Sequence, residues 1–198
     1  MREHVTKGWT YSEFARLPGD QRYEVIRGEV FGTKTPSPYH QLVLMGVLMA
    51  VYGFIRDHKL GEGLLGPIDV LFGDGDCAEP DFVFVRRERM GMITDRGIEC
   101  APDLIVEVAS PATIDRDRGI KREMYAHYGV PHYWLVDPAE RVVEVYRMLY
   151  DPVTPTIVAR ESFTWEPVPG GPVLSGLPEV LFTSTIHFRA VGETCRRE

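Results

Sequence analysis

The stretch 103-DLIVEVASP-111 limits what this chain can fold into more than any other. Leu104, Ile105, Val106 and Val108 are strand formers in one apolar run, and such a run reads as a buried strand. Glu107 lies inside it. Side chains alternate along a strand, so Glu107 shares a face with Ile105 and Ala109. Burying a lone carboxylate is costly, so the fold must bring a cationic partner to that face.

Composition narrows the setting of that strand. The chain has 198 residues, 44 % of them hydrophobic, enough for one sizeable core and one domain. No apolar run approaches the roughly 18 residues that suggest a membrane span, so no membrane association is expected. The start, 1-MREHVTKGWTYSEF-14, lacks the apolar segment of a secretory signal. Cys77, Cys100 and Cys195 form no CxxC and give an odd count, which fits a reducing cytoplasm better than a disulfide scaffold or a structural zinc site. The net charge of −7 argues against broad electrostatic attraction to nucleic acid. It leaves room for a local basic patch, or for a site where a bound divalent metal offsets negative charge. Basic residues cluster in 86-RRER-89 and 116-RDRGIKR-122, and on charge patterning alone these read as solvated helix faces.

Along the chain, Thr10 and Glu13 form a capping box for a short helix ending at Pro18. In 22-RYEVIRGEVFG-32, Arg27-Gly28 separates two strands by a tight turn. The segment 37–58 predicts a helix capped by Ser37, with Pro38 in its first turn and Gln41, Met45, Leu48, Tyr52 and Ile55 at helical spacing. Its apolar positions cover well over half the circumference, which places it deep in the core. Ile68, Val70 and Phe72 alternate before 73-GDGD-76, a hairpin turn too poor in ligands for a calcium loop. A second strand is expected at 81-DFVFV-85, then a loop over 86–102. Residues 113–129 predict a helix on which Asp117, Lys121 and Tyr125 share a face. Strands at 132–136 and 141–147 flank the turn 137-DPAE-140, and one further strand is expected near 156–163. This order predicts an α/β (α+β) fold, a mixed central β-sheet flanked by helices.

Two strands each carry an acid near an end, Asp81 and Glu107. If they converge at one edge of the sheet, they offer the two hard oxygen ligands that magnesium or manganese needs. Such a metal can activate water and offset the charge that grows on a phosphate during hydrolysis. Lys121, on the helix after the Glu107 strand, can reach back to orient the water or stabilise that charge. The same residues also allow a plainer reading. Asp81 can be a strand-start residue, Glu107 can pair with Arg116, Arg118 or Lys121, and Asp117 with Lys121 can be a surface i, i+4 pair. His40, Glu24, Glu29 and Asp69 are further candidates for a ligand or for support behind one. Ser110 has no general base near it in sequence, and no G-x-S-x-G, H-E-x-x-H or P-loop is present.

The stretches 23-YEVIRGEV-30, 36-PSPYHQ-41, 67-PIDV-70, 79-EPDFVFV-85, 102-PDLIVEVASPAT-113, 117-DRGIKREMYAHYGVPHYWLVDP-138 and 143-VEVYR-147 together carry a resemblance. In this order they resemble the Uma-two family of restriction-endonuclease-like proteins, within the PD-(D/E)xK nuclease superfamily. The resemblance implies a restriction-endonuclease-like core at about residues 10–150, within a single domain over 1–198 that ends in a β-rich extension. It implies that Asp81 and Glu107 are metal-binding catalytic acids. The superfamily lysine would stand at Ala109, and the resemblance implies its displacement to Lys121. Glu24, His40, Asp69 and Asp117 also fall in matching stretches. The expected function is a Mg²⁺- or Mn²⁺-dependent endonuclease acting on DNA, with a homodimer suited to double-strand cutting. The alternative is an inactive binding or interaction protein on a nuclease-like scaffold, motivated by Ala109 and the charge of −7.

Overall fold

The structure, a computed structural model, describes residues 22–33, 35–73, 75–176 and 181–182. The expected helix at Thr10–Pro18, Asp74 of the GDGD turn, Cys195 and the tail from 193 lie outside the described residues. Strands β1 (Tyr23–Ile26) and β2 (Glu29–Gly32) form the first hairpin. Arg27 and Gly28 both have positive φ, 53° and 76°, the two-residue turn whose twist suits a hairpin. Helix α1 runs from Pro38 to Asp57, with a wider π turn at Leu48–Tyr52. Its start is as expected: Pro38 sits in the first turn and the Ser37 side chain accepts from His40 N.

Strands β3 (Gly61–Leu65), β4 (Val70–Phe72), β5 (Asp76–Ala78), β6 (Phe82–Arg86), β7 (Ile93–Thr94), β8 (Gly97–Glu99) and β9 (Leu104–Val108) follow. Helix α2 covers 114–127 and is kinked in its middle turn, Asp117–Lys121, where Gly119 has non-helical φ and ψ of −100° and −106°. Then come β10 (His132–Asp137), β11 (Val142–Arg147), β12 (Ile157–Ala159), β13 (Thr164–Trp165) and β14 (Leu174–Ser175).

Among the described residues the strands form two six-stranded sheets and one small pair. The central sheet has the order β12-β11-β10-β9-β6-β3, and the second has β2-β1-β5-β4-β8-β7. Strand β9 is internal, parallel to β10 and antiparallel to β6. The parallel pair is joined through α2, since parallel neighbours need a crossover. Alternation then sorts the side chains of β9. Leu104, Val106 and Val108 pack with Val43, Val47, Val51 and Ile55 of α1. Ile105 and Ala109 face the other way, toward Met124 and Tyr125 of α2 and Ile26, Val70 and Phe72 of the second sheet. Both faces of the strand are covered, which accounts for the apolar residues on either side of Glu107.

The mixed α+β architecture is the expected one, but several elements differ. The partner of β4 after the GDGD turn is β5, and 82–86 belongs to the other sheet. The presumed loop 86–102 holds a 3-10 turn (Arg87–Met92) and strands β7 and β8. The run 86-RRER-89 is no helix face: Arg86 and Arg89 both bind the buried Asp103, at 2.8 and 2.7 Å. The strand expected at 156–163 spans only Ile157–Ala159. Helix α1 is less deeply buried than its composition suggested. Its buried stripe is His40, Val43, Leu44, Val47, Val51 and Ile55, while Met45 and Met49 are 51 % and 72 % exposed. At 20 residues α1 has the length and apolarity to cross a membrane, and here one side of it is packed on the central sheet.

Candidate active site

The antiparallel register of β6 and β9 pairs Phe82 with Val106. One step further along, Asp81 stands opposite Glu107. Asp81 Oδ2 accepts from the Val108 amide at 2.7 Å, which fixes the carboxylate at the strand end. The same oxygen lies 3.2 Å from His40 Nε2, so the first turn of α1 also reaches the site. Burial lowers the His40 pKa, but the hydrogen bond and charge of Asp81 outweigh it, and the net shift is upward.

Glu107 meets the cation its position demanded. Its Oε1 lies 2.5 Å from Lys121 Nζ and accepts from Tyr125 OH at 2.6 Å. Both donors come from α2, one turn apart on the face that also carries Asp117. No hydrogen bond among the described residues reaches Glu107 Oε2. Lys121 Nζ also donates to Glu24 Oε1 at 2.7 Å and stands 3.9 Å from Asp117 Oδ1. Glu24 projects from β1 of the second sheet, and its Oε1 accepts the Glu79 amide at 3.1 Å. Glu24, Glu107, Asp117 and Lys121 are 1, 4, 3 and 2 % exposed, so the pair Asp117 and Lys121 is no surface ion pair.

Three buried carboxylates around one ammonium leave this cluster short of positive charge. Arg116 Nη2, 3.3 Å from Glu24 Oε2, offsets only part of the deficit. Burial pushes the Glu107 carboxyl up to about 8; Lys121 opposes the shift, and Asp117, Asp81 and Glu24 add to it. Burial raises Asp117 as well, against Lys121. For Lys121, burial works against the charged form, but Glu107, Glu24 and Asp117 outweigh it and hold the ammonium protonated. A further cation beside these acids is therefore electrostatically favoured.

These side chains line a cavity of about 360 Å³ that contains Glu24, His40, Asp81, Glu107, Asp117 and Lys121 together. Arg22, Ser110, Thr113 and Arg116 lie on its walls. Among the described residues no group of three His, Cys, Asp or Glu is set to enclose a metal ion. The donors present suit a cation that needs fewer protein ligands. Magnesium is held by one or two carboxylates, with waters and substrate phosphates completing its shell. Asp81 and Glu107 are two carboxylates on the wall of one cavity, and hard oxygen donors of this kind are compatible with Mg²⁺ or Mn²⁺.

Of the residues singled out from sequence, Asp81, Glu107, Lys121, Glu24, His40 and Asp117 converge here. Asp69 does not line the cavity: it precedes β4 and its charge bears on Cys77 and Glu79. Glu29 is exposed in β2 and also lies outside. Arg118 pairs with Asp137 and Glu144 rather than with Glu107. Sequence reasoning missed that Glu24 is the second anchor of Lys121. The two are 97 residues apart and on different layers, and no local spacing signals such a contact.

The chain belongs to the Uma2 family, described as "Putative restriction endonuclease", whose model matches residues 11–173. Its fold is similar to that of a "putative nuclease belonging to DUF820" from Anabaena variabilis ATCC 29413. The TM-score is 0.61 at 23 % identity, over 71 % of this chain and 80 % of the other. No curated protein matches the chain.

Proposed function

We propose that this protein is a Mg²⁺- or Mn²⁺-dependent endonuclease that hydrolyses DNA phosphodiester bonds. The observation that supports the reading most is the convergence of Asp81, just before β6, Glu107 of β9 and Lys121 of α2 on one acid-rich cavity. Asp81 and Glu107 would hold the ion. A divalent cation bound there would activate water and offset the negative charge that develops on the phosphate. The chain's own groups do the positioning. The Val108 amide and His40 fix one oxygen of Asp81, leaving the other for coordination. Lys121 and Tyr125 fix Oε1 of Glu107 and leave Oε2. Lys121 takes the place that Ala109 leaves empty: it approaches Glu107 from the helix, on the face of β9 where Ala109 lies.

The test is cleavage of plasmid DNA in Mn²⁺ or Mg²⁺, with Glu107→Ala in parallel. Wild-type protein should nick or linearise the plasmid only with metal, and the variant should lose at least about a hundredfold in rate. Cleavage that survives the substitution unchanged would place the activity elsewhere. The alternative, a binding protein on this scaffold, gains weight from one observation: Lys121 already has two carboxylate partners. Tight metal binding with no cleavage of any DNA would favour it.

A further inference from the structure

A DNA backbone entering a cavity floored by Glu24, Asp81, Glu107 and Asp117 meets negative charge, so it needs a cation with donors to spare. Lys121 is not that group, because its ammonium is 2 % exposed and bound to Glu24 and Glu107. Arg22 spends its Nε on Glu79 at 2.7 Å. Arg116 differs from both. It lines the cavity with its side chain 17 % exposed. Among the described residues none of its N–H groups makes a hydrogen bond, and Nε is buried with no partner at all. Among the described residues its one ion pair is Nη2 to Glu24 Oε2 at 3.3 Å, and that oxygen has no hydrogen bond from any of them. The guanidinium lies 5.5 Å from the centre of the Phe31 ring, which gives it an apolar rest on the first hairpin.

The guanidinium is half-buried, and its Nε is shut off from water with no partner, a donor left at a desolvation cost. A phosphate offsets that cost, since the planar fork of arginine matches two phosphate oxygens. We propose that Arg116 is a phosphate-binding residue of this site: its guanidinium receives a phosphodiester of the DNA backbone beside the bond to be cut. The assignment rests on the nuclease reading above and adds the substrate-binding group that reading lacks. Glu24 then has two roles. It anchors Lys121 through Oε1, and through Oε2 it keeps the guanidinium at the cavity wall.

Binding without cleavage separates this inference from the chemistry. A fluorescein-labelled DNA duplex would be titrated in EDTA and followed by anisotropy, over about 50 to 200 mM salt. Arg116→Ala should weaken binding about tenfold and lower the slope of log K against log salt by about one, the signature of one lost phosphate contact. Arg116→Lys, which keeps a charge beside Glu24, should retain the slope and lose less affinity. If Arg116→Ala does not fold, Arg116→Gln replaces it with the same expectation. A variant with wild-type affinity and wild-type salt slope overturns the proposal. If wild-type protein still cleaves DNA and Glu107→Ala does not, that result overturns the Arg116 role alone. A wild-type protein that neither binds nor cleaves DNA overturns both.

Discussion

Glu107 is held between two opposed demands. Its strand must be buried to complete the central sheet, and the proposed function requires its carboxylate to ionise to hold a cation. The balance shows in its pKa of about 8, against an ordinary 4.5, with burial the largest cause. The sign of the consequence for stability is fixed. The folded state keeps this proton at pH values where the unfolded chain has released it. Stability from this group therefore falls as pH rises from about 4.5 to about 8, and levels off above. Glu107→Gln removes that slope. In metal-free buffer the variant should gain on wild type steadily across this window and run parallel above it, as read by denaturant titration at stepped pH. A constant difference across the window would contradict the burial-driven shift. Part of this cluster was legible in the sequence. Glu107 in an apolar strand, and Asp117, Lys121 and Tyr125 on one helix face, point at one another through period two and period 3.6. Glu24 was not, because its contact depends on how the second sheet packs, which no local pattern encodes.

Helix α1 shows where a pattern misleads at the scale of an element. Between Leu42 and Ile55 nearly every residue is apolar, so the sequence cannot tell which stripe faces the sheet. The structure chooses Val43, Val47, Val51 and Ile55 and leaves Met45 and Met49 outward. The choice matters to the site, because it turns His40, one turn before Leu44, toward Asp81. Lysine substitution distinguishes the two faces. Met49→Lys should change stability by no more than about 0.5 kcal/mol. Val51→Lys, which places a charge against the central sheet, should cost several kcal/mol or prevent folding. Equal effects in thermal denaturation would mean that the helix is rotated from the orientation seen here. The short strands β5, β7 and β8 were illegible for another reason: two or three residues are too few to show a period, and their pairing is set by tertiary contacts.

For the whole molecule, the site is a meeting of layers. The central sheet supplies Asp81 and Glu107, α2 supplies Lys121, Asp117 and Arg116, α1 supplies His40, and the second sheet supplies Glu24. Mixed α+β architecture could be read from the order of elements, and the family resemblance was carried by motifs spread along most of the chain. The make-up of the second sheet could not, because β1 meets β5, and β4 meets β8, only after long connections. The central claim is that this junction holds one divalent cation between Asp81 and Glu107. It is tested most directly by diffraction from crystals soaked in Mn²⁺, using the anomalous signal of the metal. The account predicts one peak within about 2.0 to 2.3 Å of an oxygen of each carboxylate, with Lys121 still on Glu107 Oε1, and no peak in Glu107→Ala. No peak in the cavity of a protein that cleaves DNA with Mn²⁺, or a peak away from both acids, would contradict it.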